Sequence, residues 1–281
     1  MPPLAVMRKG WENEHLAAFL LSRIAFVANP LKVGDDIGSD FFCTLFKHSM
    51  QNGQEMLYPL NSFAVQVKSN PGIVDAIKVI GYLEQLELPY FLGVIDRSKL
   101  SLSLYSGEYL PMMFSEHGKP RGLRLYPEDG PDKAHSEPYS YTDEKQCHLK
   151  LPLVSTIAAR DTPDTVSQNA EHLAQLCSRM HANISTWKLD EYVFRLPADQ
   201  VQIMAGSGSA KTFRRNFYWR LEEVFHNMKW ILENQPNEFS LAEFKVYERT
   251  YLDLLRIRND LPNMTAVLKK LRELILKKHQ A

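Results

Sequence analysis

The stretch GSDFFCTLF, residues 38–46, and the stretch SFAVQVK, residues 62–68, decide how the first half of this chain folds. Both are apolar runs of strand length, partly β-branched or aromatic. The segment between them carries Asn52-Gly53, a strong signal for a two-residue hairpin turn. Residues 41–46 therefore read as a strand beginning at Asp40, and residues 62–68 as its return. Side chains alternate along a strand, so Gln66 and Lys68 face the same way. Asp40 follows a turn containing Gly34, Asp35, Asp36 and Gly38, and pairing of the two strands brings it beside them.

Working outward, Leu16, Phe19, Leu20, Ile24 and Val27 recur at helical spacing, which predicts a helix over 12–28 stopped by Asn29-Pro30. Asn70-Pro71-Gly72 opens a second predicted helix, with Ile73, Ile77, Ile80 and Leu83 on its buried face. The run YFLGVID, 90–96, is continuously apolar, and LSLSLY, 100–105, alternates strictly, so both read as strands. Residues 107–146 are polar and rich in Pro and Gly. That is too long for a structureless insertion in a compact domain and suits a partly ordered excursion near a substrate. CHLKLPLVSTI, 147–157, returns as a strand. Helical patterns then follow at 165–187, 212–233, 241–258 and 264–278, with Ser240 able to cap the third and Pro262 ahead of the fourth. The expected division falls near residue 160: an α/β domain over 1–160 and a helical module over 161–281.

The 281 residues carry 33 Lys and Arg against 33 Asp and Glu, with 44% hydrophobic and 23% charged residues. This balance excludes a disordered chain, a collagen-like repeat and a highly basic coat protein, while leaving room for a local basic groove. Cys43, Cys147 and Cys177 are odd in number and dispersed, which argues against a disulfide framework or a structural zinc site. No signal peptide and no membrane-length apolar run is legible, so the expected setting is the cytoplasm, away from membranes.

The chemistry lies between Glu14 and Lys68. A helix packed on the sheet can add Glu14 to Asp40, Gln66 and Lys68. Two carboxylates and an amide oxygen are hard ligands of the kind Mg²⁺ takes. A lysine beside such an ion can orient a water and offset phosphate charge, and together these are the parts of metal-assisted phosphodiester hydrolysis.

These residues resemble the PD-(D/E)XK, restriction-endonuclease-like superfamily, and more nearly a prokaryotic branch with Mrr-like enzymes as relatives. The resemblance is carried by ENEHLAAFLLSRIAFV, by GDDIGSDFFCTL around Asp40 and by FAVQVKSN. PYFLGVID and LSLSLY fit the later strands, so about residues 10–157 are covered. It implies an αβββαβ core with a mixed sheet, here followed by a C-terminal all-α module. It further implies that Asp40 is the metal-binding aspartate, Lys68 the catalytic lysine and Glu14 the helix-one glutamate, with the main-chain carbonyl of Val67 as a further metal ligand. Gln66 stands where many members have Asp or Glu, and its amide oxygen is a neutral, weaker ligand.

Other signals are weaker. AGSGSAKT, 205–212, lacks both glycines a phosphate-binding P-loop needs and reads as a joint before a helix. KTFRRNFYWR, 211–220, interleaves Lys211, Arg214, Arg215 and Arg220 with aromatics. It is either a nucleic-acid contact or an amphipathic helix with its aromatics buried. No HExxH and no Gly-x-Ser-x-Gly motif is present.

The resemblance implies a Mg²⁺- or Mn²⁺-dependent DNA endonuclease with a role in prokaryotic defence. Nothing in the residues reads a 2′-hydroxyl, so RNA stays open as a substrate. Double-strand cleavage needs two active sites or two visits, which favours a homodimer, and a toxic nuclease calls for a restraining partner protein. The competing expectation is an inactive nucleic-acid-binding protein, or an interaction subunit of a defence complex, that kept the fold.

Overall fold

The structure is a computed structural model describing residues 4–29, 38–51, 53–142, 146–188, 192–195, 202–206, 210–234, 240–257 and 264–280. The chain forms two compact units, Met1–Ser207 and Gly208–Ala281. The first contains, in order, α1 (Leu4–Ser22), β1 (Ala25–Ala28), β2 (Phe41–Gln51), β3 (Gln54–Lys68), β4 (Val74–Asp75), α2 (Ile80–Gln85), β5 (Tyr90–Asp96) and β6 (Ser101–Ser106). It continues with α3 (Leu110–His117), β7 (Gly122–Glu128), α4 (Pro131–Ser136), β8 (Tyr139–Tyr141), β9 (Gln146–Ala158), α5 (Pro163–Lys188), β10 (Tyr192–Arg195) and β11 (Gln202–Gly206). The second holds α6 (Ala210–Asn234), α7 (Leu241–Ile257) and α8 (Thr265–Gln280).

The class is α/β with a mixed sheet. Its strand order is β1-β2-β3-β5-β6-β9-β7-β4, with β8 also pairing β9. β1, β2 and β3 are consecutively antiparallel, and β3 pairs β5 in parallel after the crossover through α2. The β2–β3 hairpin closes at Gln51↔Gln54, and Gly53 sits in its turn at φ 78. Period-two alternation distributes the core over both sheet faces. Phe63, Val65, Phe91 and Ile95 pack with Leu20 and Leu21 of α1 and Leu173 and Cys177 of α5. Tyr90, Leu92 and Val94 pack on the other face with Leu83 of α2 and Met113 of α3. The YFLGVID strand is thus buried on both sides, as its continuous apolar run predicts.

Four expectations are corrected. The helix expected over 12–28 is α1, which stops at Ser22, and 25–28 become β1. The Arg23 guanidinium donates to the carbonyls of Ala158 and Asp161, fixing the turn after α1. Ala25 and Val27 then point inward by strand alternation, a pattern that mimicked helical spacing. In the helix expected from Asn70, only Ile80–Gln85 is helical. Val74–Asp75 pair β7, and the Asp75 carboxylate accepts the Ile77 N–H at 3.0 Å, which turns the chain first. The polar stretch 107–146 forms α3, β7, α4 and β8. Finally, the division lies after Ser207 instead of 160, because Leu173, Leu176, Cys177 and Met180 of α5 complete the sheet's core. The region 161–281 is accordingly not all helix: β10 pairs β11 within it.

The second unit is helical among its described residues. Phe225, Phe244, Tyr251 and Leu271 form its interior. Ser240 Oγ accepts the Glu243 N–H at 3.1 Å while Glu243 Oε2 accepts the Ser240 N–H at 3.0 Å, a reciprocal capping box at the start of α7.

Candidate active site

Asp40 sits one residue before β2, and Gly38 brings it there. Gly38 has φ 95, and an added Cβ would lie 2.8 Å from Tyr82 Cδ1 and 3.0 Å from Val79 Cβ, so the turn lies tight against α2 and the residue before it. The Tyr82 hydroxyl donates to Ser39 Oγ at 2.9 Å and secures the same turn. The Asp40 N–H donates to the Val65 carbonyl at 2.8 Å, tying the residue to β3 just outside the regular β2–β3 ladder. Its carboxylate then closes on the returning strand: Asp40 Oδ2 accepts the Val67 N–H at 2.6 Å.

That bond orients more than Asp40. In a strand, a residue's N–H and C=O point to the same edge. Since the Val67 N–H points to Asp40, the Val67 carbonyl faces the same side, beyond the first registered pair of β2, Phe41↔Val65. Lys68 follows immediately, half-buried at the end of β3. Gln66 shares its face by alternation, is 4% exposed, and accepts the Tyr90 hydroxyl on Oε1 at 2.9 Å. An amide oxygen keeps a second lone pair for another donor or a cation.

Glu14 arrives from α1. The segment before it is tied to the end of β5, where Arg97 Nη1 meets Glu12 Oε2 at 2.8 Å and Arg97 Nε donates to Asn13 Oδ1 at 2.5 Å. Glu14 holds its proton above the ordinary carboxylate range, first because it is partly withdrawn from water and then because of the Asp40 charge, with His15 opposing. Two carboxylates that repel each other in this way favour a cation between them. Asp40, Gln66 and Lys68 thus lie at the carboxyl end of the parallel β3–β5 pair, the end at which open α/β sheets commonly bind ligands, and Glu14 on α1 lies near enough to feel the charge of Asp40.

No three His, Cys, Asp or Glu side chains form a metal cage among the described residues. The donors here are two carboxylates, one main-chain carbonyl and one amide. This fits Mg²⁺, which keeps several waters and needs only one or two carboxylates plus substrate phosphate. Asp35 and Asp36 lie outside the described residues, as do the side chains of Lys211, Arg214 and Arg215; Arg220 is exposed on α6. The three cysteines are buried and unpaired, and burial pushes Cys43 and Cys177 up to about 12, which suppresses their thiolates. No described helix is long and apolar enough to cross a membrane.

Sequence reasoning missed Tyr90, Tyr82, Ser39 and Arg97. Only Tyr90 carried a signal, as a polar-tipped aromatic opening a buried strand. No protein family matches the sequence, and comparison with curated proteins and with solved structures finds no match.

Proposed function

We propose that this chain is a metal-dependent nuclease that hydrolyses DNA phosphodiester bonds. The observation that carries the reading is the Asp40 Oδ2–Val67 N–H bond, which joins the aspartate to the strand end bearing Lys68. The succession of helix, three antiparallel strands, crossover and parallel strand supports it, since the resemblance implies the same αβββαβ order.

In this mechanism Asp40, Glu14 and the Val67 carbonyl would hold Mg²⁺ or Mn²⁺, and Gln66 would complete or orient the shell. When bound, the ion supplies Lewis-acid polarisation of the phosphate and acidifies water. Lys68 orients the attacking water and offsets charge on the phosphate. The Tyr90 hydroxyl keeps the Gln66 amide from rotating. The water oxygen bonds to phosphorus and gives up a proton to solvent, the bond to the 3′ oxygen breaks, that oxygen takes a proton from solvent, and a 5′-phosphate and a 3′-hydroxyl result. By the same resemblance the chain acts as a cytoplasmic defence effector. The helical unit then serves dimerisation, nucleic-acid contact or a restraining partner.

Plasmid cleavage in Mg²⁺ tests the proposal: wild type cuts, and Asp40→Ala and Lys68→Ala do not. One observation favours a second reading, that of a binding protein which kept the fold: Gln66 replaces a carboxylate and is already engaged by Tyr90. Equal DNA binding by all three proteins, with cleavage by none, decides for it.

A further inference from the structure

The β2–β3 hairpin reaches past the sheet that supports it. β1 pairs β2 only over 42–45, and β5 pairs β3 only over 64–68. Asn61 anchors the hairpin to α5, donating to the Ala174 carbonyl and to Ser178 Oγ at 3.0 Å each. Beyond it, residues 46–51 and 54–59 pair with each other alone, as a two-stranded arm. A ribbon of two strands is marginally stable in water and gains from a further surface to pack on.

The arm's surface is apolar. Met50, Met56, Leu57, Tyr58 and Leu60 are 70%, 40%, 55%, 44% and 48% exposed. Directly paired residues share a face, so Phe46, Met50, Leu57 and Pro59 lie on one side and Met56 and Tyr58 on the other. The Tyr58 hydroxyl donates to Gln51 Oε1 at 3.1 Å and braces the arm along its length. Exposed apolar patches of this extent mark interaction sites. Residues 46–60 hold one Lys and one Glu, so with His neutral the arm carries no net charge. It offers little to a polyanion such as nucleic acid and meets its own copy without repulsion. The two edges of the arm differ. β3 carries Pro59, which lacks an N–H, whereas 46–51 of β2 contain no proline and, among the described residues, have no strand on their outer side.

We propose that the arm is a homodimer contact, in which the outer edge of β2 over 46–51 pairs antiparallel with the same edge of a second copy. Antiparallel pairing of identical edges is two-fold symmetric, so one operation gives both copies the same contact. It supplies partners for the outward N–H and C=O groups of β2 and brings the exposed apolar side chains of the two arms together. At about 150–250 Å² for a large side chain, the five leave roughly 500 Å² exposed per copy, so two arms offer about 1,000 Å², the size at which specific interfaces begin. The inference places the contact in the first unit. It uses neither Asp40 nor Lys68 and stands apart from the nuclease reading.

Sedimentation velocity and hydrogen exchange on the full chain test it. Wild type should be a dimer at about 100 µM and dissociate on dilution. Amides over 46–51 should exchange at least about tenfold more slowly in the dimer than in the diluted monomer. The double variant Met50→Lys, Leu57→Lys, changed at two sites more than half exposed, should stay monomeric at about 100 µM. A dimer that protects other segments and not 46–51, or one that the double variant keeps, overturns the proposal. A wild type that is monomeric throughout also overturns it, and if that monomer floats with phosphatidylcholine vesicles the arm belongs to a membrane. The exchange measurement uses wild type alone, so the test stays decisive even if the lysines disturb the hairpin.

Discussion

Tyr90 donates its hydroxyl to Gln66 Oε1 at 2.9 Å across the parallel β3–β5 pair, so the neutral residue of the candidate site is held by the strand beside it. Gln66→Glu keeps the shape and adds a third carboxylate to Asp40 and Glu14, with Tyr90 now making a charge-assisted bond. Mn²⁺ affinity, measured by calorimetry, should rise about tenfold or more. An unchanged affinity would mean that the cation does not sit at this strand end.

Glu14 sets a pH dependence. Its carboxyl is raised in the fold by burial and by Asp40, so its protonated form adds stability at low pH that is lost as pH rises through its raised pKa. Cation binding runs the other way, because the ion needs the carboxylate. Mn²⁺ affinity should fall as pH drops, and the fall should begin at a higher pH than an ordinary Glu would give. Glu14→Gln should bind more weakly at pH 7 and lose most of that dependence.

Two glycines with positive φ should differ in what alanine does to them. Gly53, at φ 78, has nothing within 4 Å of an added Cβ, so Gly53→Ala should cost only the left-handed penalty of about 1–2 kcal/mol. Gly38→Ala adds a clash with Tyr82 and Val79 and should cost about 1–3 kcal/mol more, with loss of cleavage because Asp40 moves. Urea denaturation and the plasmid assay together separate the two.

Glu108 is the clearest source of alkaline instability. Burial raises its carboxyl from 4.5 to about 7, against the opposing charge of Arg179, and His135 lies 3.7 Å away. The folded state favours the protonated form, so the stabilisation is complete below about pH 4.5 and is lost as pH rises through about 7. Glu108→Gln should therefore stabilise the chain at pH 8 by about 1–3 kcal/mol, and the gain should vanish at acid pH. Denaturation midpoints at the two pH values check this.

The Ser240–Glu243 capping box predicts a local effect. Ser240→Ala should cost α7 about 1 kcal/mol, read as faster amide exchange in its first turn, with no change in the β-sheet.

The hairpin around Asn52-Gly53, the doubly buried YFLGVID strand and the Ser240 cap were legible because each is written in adjacent residues. Alternation also placed Gln66 with Lys68. β1 was misread since Val27 satisfies a helical period with Ile24 and, with Ala25, an inward strand face. The segment after Asn70 was misread because its partner, β7, lies some fifty residues away in the sequence. Tyr90–Gln66 and Arg97–Asn13 are likewise long-range pairs that no local pattern announces. The division near 160 failed because the amphipathic helix α5 looks alike whether it packs on a sheet or on other helices.

α1 and α5 cover one face of the same sheet, although one opens the unit and the other comes near its end. During synthesis that face stays wet until the chain is made past Met180 and has cleared the ribosome. A fragment ending at 160 would expose Phe91, Leu102 and Ile157 and should aggregate. The nascent protein cannot complete the sheet around the proposed site early, so the proposed nuclease activity would wait until translation of the unit is almost finished.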